Sequence, residues 1–231
     1  MVKLNQKLKI IIILKNNKNL IGIIKENNKP NIIEFIPMNI IINKINFIKC
    51  KYEIKKDDIG EDIQIINNKY YDCEINNKIE KEIKLIINGE IKSNILKYKF
   101  NKEGIYVIYL ITYNLLTNMS YMFRNCSSLK ELNLSSFNTN QVTDMSCMFY
   151  NCSSLKELNL PSFDTSQVTD MPRMFYDCSS LKELNLSSFN TNKVINMPNM
   201  FMNCSSLKTL RSQNKQILKA YKEDNPNSII L

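Results

Sequence analysis

From Met119 to Leu210 the sequence repeats itself every 26 residues without a gap. The copies read MSYMFRNCSSLKELNLSSFNTNQVTD, MSCMFYNCSSLKELNLPSFDTSQVTD and MPRMFYDCSSLKELNLSSFNTNKVIN, and a fourth, MPNMFMNCSSLKTL, breaks off. A chain with such a period folds as one small unit copied along an axis, each copy touching its neighbours. Two spacings alternate inside the unit. Met119, Met122, Phe123 and Cys126 fall on one face of a short helical turn. Asn118, Asp144, Asp170 and Asn196 precede these segments as N-caps would, and Pro172 and Pro198 sit in the first turn, where a missing N–H costs little. Leu129, Leu132 and Leu134 then give the LxxLxL pattern of a short strand. The spacing predicts parallel strands at 129–134, 155–160 and 181–186, stacked in register, with helical turns near 119–126 and its equivalents on the other side.

Magnitudes require the copies to stack. The inward apolar side chains of one unit contribute roughly 1.5–3 kcal/mol each when buried. Ordering the backbone costs about 1–2 kcal/mol for every residue. One unit alone loses, and burial against two neighbours reverses the balance.

The motif M-xx-MF-xx-C-SSL-xx-L-x-L-xx-F-x-T-xx-V resembles the BspA-type leucine-rich repeat, the 26-residue repeat of surface proteins in bacteria and many protists. The resemblance implies a leucine-rich-repeat solenoid, with parallel strands on a concave face and short helical turns on a convex one, used for adhesion or protein binding.

Four segments are expected. Residues 1–45 alternate Ile-rich runs with Asn/Lys turns and read as strands. Residues 46–113 read as a small β-rich domain, with short Ile-, Tyr- and Val-rich runs at 51–54, 62–67, 83–87, 95–100 and 105–112. Asn88-Gly89 between Ile87 and Ile91 is a hairpin signal. The run from Tyr98 to Tyr109 resembles the last hairpin of immunoglobulin-like sandwich domains, and it could also cap the first repeat by pairing with its strand. Residues 114–210 hold the repeats. Residues 211–231 form a tail in which Gln213 to Glu223 reads as a capping helix with Ile217, Leu218 and Tyr221 on one side.

The candidate partner-binding face lies between the leucines, where strand alternation points side chains to solvent on the concave side. It comprises Lys130, Glu131 and Asn133, then Lys156, Glu157 and Asn159, then Lys182, Glu183 and Asn185, with Lys208 continuing the first row. The plain reading of these rows is a solvated face of Lys–Glu pairs and Asn–Asn hydrogen bonds between repeats. The functional reading is a contact surface for a protein partner.

Catalysis has little to work with. The chain has no histidine, which removes Ser-His and Cys-His pairs and imidazole ligands. Asp57, Asp58, Glu61 and Asp62 cluster in a polar loop rather than a cleft. Cys126, Cys152, Cys178 and Cys204 recur with the period but lack CxxC pairing, so buried thiols are expected, with no metal and no cofactor. Cys147 shares its slot with Tyr121, Arg173 and Asn199 and is expected at the surface.

The net charge is +9, of which residues 1–117 carry +7, from 20 Lys against 13 acids. The lysines are interleaved with Asn and Glu and form no block, so a nucleic-acid partner is not expected. No apolar run approaches the ~18 residues of a membrane span, and the first 15 residues lack a secretory h-region. The expectation is a cytoplasmic, non-catalytic protein-interaction module. The alternative is a cell-surface adhesin, for which Asn118, Asn125, Asn133, Asn151, Asn185 and Asn203 would offer N-x-[ST] acceptors. An enzyme with its site in residues 1–113 has no motif behind it.

Overall fold

The structure is a computed structural model that describes residues 8–15, 18–25, 33–37, 46–67, 69–70, 73–74, 83–93, 95–112, 114–160 and 163–226. β1 (Leu8–Lys15), β2 (Lys18–Lys25) and β3 (Ile33–Pro37) form an antiparallel sheet of their own. The following strands are β4 (Asn46–Ile54), β5 (Asp62–Gln64), β6 (Lys69–Tyr70), β7 (Cys73–Glu74), β8 (Ile83–Ile87), β9 (Glu90–Ser93), β10 (Lys97–Lys99) and β11 (Gly104–Thr112). The repeats contribute β12 (Leu129–Asn133), β13 (Glu157–Asn159), β14 (Glu183–Asn185) and β15 (Thr209–Arg211), and a helix, α1 (Lys215–Asp224), follows them.

The principal sheet has six strands in the order β13-β12-β4-β11-β8-β9. β4 lies at its centre because its sequence alternates. Ile48, Cys50, Tyr52 and Ile54 are buried on one face, while Lys49, Lys51 and Glu53 point to the other. β4 pairs antiparallel with β11 on one side and with β12 on the other. The β8–β9 hairpin turns at Asn88 and Gly89, whose φ values of 53° and 79° are those a two-residue hairpin turn requires.

This arrangement overturns the expected parallel-strand solenoid. The chain is mainly β, its principal sheet is mixed, and most of that sheet is antiparallel. Between named strands, parallel pairing among the described residues is limited to β12–β13 and β14–β15, which belong to separate sheets, and isolated parallel bridges join Asn118 to Asp144, Asp144 to Asp170 and Asp170 to Asn196. The immunoglobulin-like hairpin does not form either: β10 pairs with β5, and β11 pairs with β4 and β8. The strand that meets the first repeat is β4, not the run from Tyr98 to Tyr109.

The helical turns fail for a definable reason. Tyr121 and Asn125, and their equivalents Cys147/Asn151, Arg173/Asp177 and Asn199/Asn203, all have φ between 53° and 62°. Left-handed residues at this spacing break a right-handed helix into successive turns. Every second N–H is thereby directed along the repeat axis. Met119, Tyr121, Phe123 and Asn125 donate to the carbonyls of Asp144, Ser146, Met148 and Tyr150 at 2.8–2.9 Å, and the next two copies repeat the set. Pro172 and Pro198 are tolerated because their positions give the inter-repeat ladder only a carbonyl: Cys147 donates to the Pro172 carbonyl and Arg173 to that of Pro198. The apolar spacing still does its work, since Met119, Met122, Phe123 and Cys126 are fully buried. Phe123, Phe149, Phe175 and Phe201 stack at 5.7, 5.6 and 5.8 Å between centroids.

The capping residues keep part of their expected role. Asn118 and Asp144 accept from the N–H two residues on, Ser120 at 2.7 Å and Ser146 at 2.8 Å. Asp170 precedes Pro172, which has no N–H to offer, and takes the Thr169 hydroxyl at 2.7 Å instead.

α1 closes the last repeat. Asn214 caps it through Oδ1, and Ile217, Ala220 and Tyr221 are buried against the stack, with Leu218 partly buried. Among the described residues, no helix is long and apolar enough to cross a membrane.

Candidate binding face

Strand alternation turns Leu132, Leu158 and Leu184 inward and sends their neighbours outward. Register places Glu131 opposite Glu157 and Asn133 opposite Asn159, so like residues form rows across the strands. Lys156, Glu157, Lys182, Glu183 and Asn185 are exposed and line a shallow groove of about 570 Å³ with Thr209 and Arg211. A second groove of about 260 Å³ is lined by Lys49, Lys51, Val107, Glu131, Leu132, Asn133 and Glu157. Glu157 belongs to both, so the two grooves form one face.

Two of the expected residues are engaged from outside the repeats. Lys130 pairs with Glu53 at 2.6 Å and Glu131 with Lys51 at 2.5 Å, both partners standing on β4. Lys130 holds the Glu53 carboxyl below the usual carboxylate range by hydrogen bond and charge. Lys156, Glu157, Lys182 and Glu183 make no ion pair among the described residues, so the Lys–Glu pairing expected between repeats does not form. Among the described residues, Asn133 and Asn185 do not bridge repeats on this face either. Asn133 accepts from the Ser135 N–H at 2.9 Å and Asn185 from Ser187 at 3.0 Å, each fastening its own turn.

Sequence reasoning missed Lys49, Lys51, Glu53, Val107, Thr209 and Arg211. The alternation through β4 and β11 announces outward side chains. Nothing local announces that β4 would lie beside β12, because that pairing joins residues some eighty positions apart.

The thiol ladder is buried and otherwise occupied. Each Sγ donates to the carbonyl of the phenylalanine one layer back: Cys152 to Phe123 at 3.0 Å, Cys178 to Phe149 at 3.1 Å and Cys204 to Phe175 at 3.0 Å. Burial pushes the Cys152 and Cys178 thiols far up and that of Cys204 to about 12, so none is a thiolate near neutrality. Cys50, Cys126, Cys147, Cys152, Cys178 and Cys204 are free, and no group of three or more metal-ligating side chains converges among the described residues. Cys147 departs from its expected surface position, being only 5% exposed. Its short side chain is flanked by the longer Tyr121 and Arg173 of the adjoining layers. Within the Asp57–Asp62 cluster, Asp58 accepts from the Lys55 N–H at 2.8 Å in a 3-10 turn at Lys56–Asp58, and Asp62 pairs with Lys99 at 3.8 Å.

The family described as "Mycoplasma protein of unknown function, DUF285" is similar to residues 113–222, which span the repeats and most of α1. No curated protein and no solved structure matches the chain.

Proposed function

We propose that this protein is a non-catalytic binding module that contacts a protein partner through the face of β12 to β15. The observation that carries this reading is the set of exposed charges, Lys156, Glu157, Lys182 and Glu183, in no ion pair among the described residues and gathered in one groove on a backbone held by hydrogen bonds from layer to layer. A groove of this kind, with charges that form no ion pair among the described residues, offers a partner new contacts at little cost in protein order. The polar groups of the groove are amines, a guanidinium, carboxylates, an amide and a hydroxyl, and the thiols of Cys126, Cys152, Cys178 and Cys204 are buried with carbonyl partners, so the face is suited to recognition rather than bond-making.

Charge reversal at Lys156 and Lys182 together tests the reading. The double variant should lose most of the proteins captured by the intact chain, while its melting temperature stays within a few degrees, because exposed charges contribute only ~0–1 kcal/mol to folding. Capture of the same proteins in the same amounts would remove this face from consideration.

A further inference from the structure

The charges of the face are unequal, and one margin of it is apolar. Glu131 and Glu53 are already neutralised by Lys51 and Lys130. What remains is Lys49, Lys156, Lys182, Lys208 and Arg211 against Glu157 and Glu183, none of them in an ion pair among the described residues. Beyond β4 the polarity changes. Register puts Val107 beside Lys51 and Ile105 beside Glu53, and these two side chains are 40% and 54% exposed. Val107 forms the wall of the smaller groove, with Leu132 in its lining and Lys49 and Lys51 at its rim.

We infer that the face receives an acidic protein segment carrying a large apolar side chain, with the carboxylates over Lys156, Lys182 and Arg211 and the apolar group against Val107. Charge complementarity selects the acidic partner: an anionic segment meets a local excess of amines and guanidinium, whereas a basic one meets repulsion. The apolar wall selects a protein rather than a simple polyanion, since covering Val107 rewards a hydrocarbon side chain that a phosphate backbone does not supply. This inference rests on the proposed binding role and names its partner's chemistry.

The test is selection of a random linear peptide library on the full-length chain, followed by affinity measurement on two variants. One is Lys182→Glu with Arg211→Glu, and the other is Val107→Glu. All three sites are exposed, and thermal melts confirm that the variants fold. The expected peptides combine acidic residues with at least one large apolar residue, bind less tightly as salt rises, and weaken roughly tenfold or more on each variant. Peptides lost on the cationic-site variant but indifferent to Val107→Glu would keep the face and overturn the partner assignment. Peptides that bind both variants unchanged would sink the binding role of the face itself. Enrichment of basic sequences, no enrichment, or binding of polyuridylate in preference to every selected peptide would also overturn the inference.

Discussion

The two ends of the repeat stack present the same problem and close it by different means. Each end exposes ladder donors, ladder acceptors and apolar side chains that a further copy would have covered. At the first end the answer is backbone. β4 pairs with β12 along its length, the Asn67 N–H reaches the Met122 carbonyl at 2.8 Å, and the Ile65 carbonyl accepts from the Cys126 thiol as a phenylalanine carbonyl would one layer on. At the last end the answer is side chains. The Phe201 N–H, which in earlier copies donates to a backbone carbonyl, donates to Asp224 Oδ2 at 2.8 Å. Gln216 takes the hydrogen bond of the Thr191 hydroxyl, which in earlier copies reaches the next layer's backbone. Asn225 donates to the Phe201 carbonyl, standing where the next thiol would be, and the Tyr221 ring packs edge-on against Phe201 at 5.5 Å. A sheet strand is tied into the whole core. A helix held by a few side chains is tied only to what it touches, so the two ends should differ in cooperativity.

The largest effect expected follows from that difference. Tyr52 is fully buried at the first end and donates to the Ile65 carbonyl at 2.7 Å. Tyr52→Ala should cost about 3–5 kcal/mol of global stability. Tyr221→Ala removes an equally buried ring, with its hydrogen bond to the Leu207 carbonyl, yet it should release α1 locally and lower global stability by only about 1–3 kcal/mol. Denaturant melts measure the first quantity, and limited proteolysis within α1 measures the second. Equal global losses, with α1 still protected, would show that the helix belongs to the same cooperative unit as the sheet.

The same contrast governs what could be read from the sequence. The repeat, its inward residues and the thiol ladder were legible because each is local and periodic. So were the β8–β9 turn and α1, which carry Asn-Gly and a cap followed by spaced apolar residues. The helical turns were misread because i, i+3, i+4, i+7 spacing is also produced by successive turns with left-handed residues. Asn at 125, 151 and 203 was the available clue, since Asn tolerates that conformation. The candidate face was half legible. Lys156, Lys182, Glu157 and Glu183 follow from alternation. The strand that neutralises Lys130 and Glu131 and adds Val107 arrives by a long-range pairing that no local pattern encodes.

Thiol reactivity sharpens the comparison without mutation. Cys152 and Cys178 lie inside the stack, and Cys204 lies under α1. Opening of α1 alone should expose Cys204, whereas the other two need the stack to come apart. Cys204 should therefore label roughly tenfold or more faster than Cys152 and Cys178 in the native protein, read by mass spectrometry after timed alkylation, and all three should label fully in denaturant. Equal slow rates would mean that the helical end opens only with the whole molecule. A metal chelator should change none of the rates.

The smallest effect expected is a difference in sign. Glu53 at the first end is held below its ordinary value by Lys130, with Lys55 and Lys156 adding to the effect. Its contribution is fully present above the ordinary glutamate value and is lost as pH falls through the lowered folded value. Asp224 at the last end is raised above its ordinary value, first by burial and then by Glu223, against the hydrogen bond from Phe201 that lowers it. Its neutral form is the one the fold favours, so its contribution is present below the ordinary aspartate value and is lost as pH rises through the raised folded value. Acidification from about pH 6 to about pH 3 should thus loosen the β4 end and tighten the α1 end. Two substitutions separate the terms. Glu53→Gln should lower the melting temperature near pH 6 and converge with the unmodified protein near pH 3. Asp224→Asn keeps a side-chain oxygen for the Phe201 N–H and removes the buried charge, so it should raise the melting temperature near pH 6 and lose that advantage near pH 3. Both variants shifting in the same direction with pH would refute the contrast between a paired surface carboxylate at one end and a desolvated one at the other.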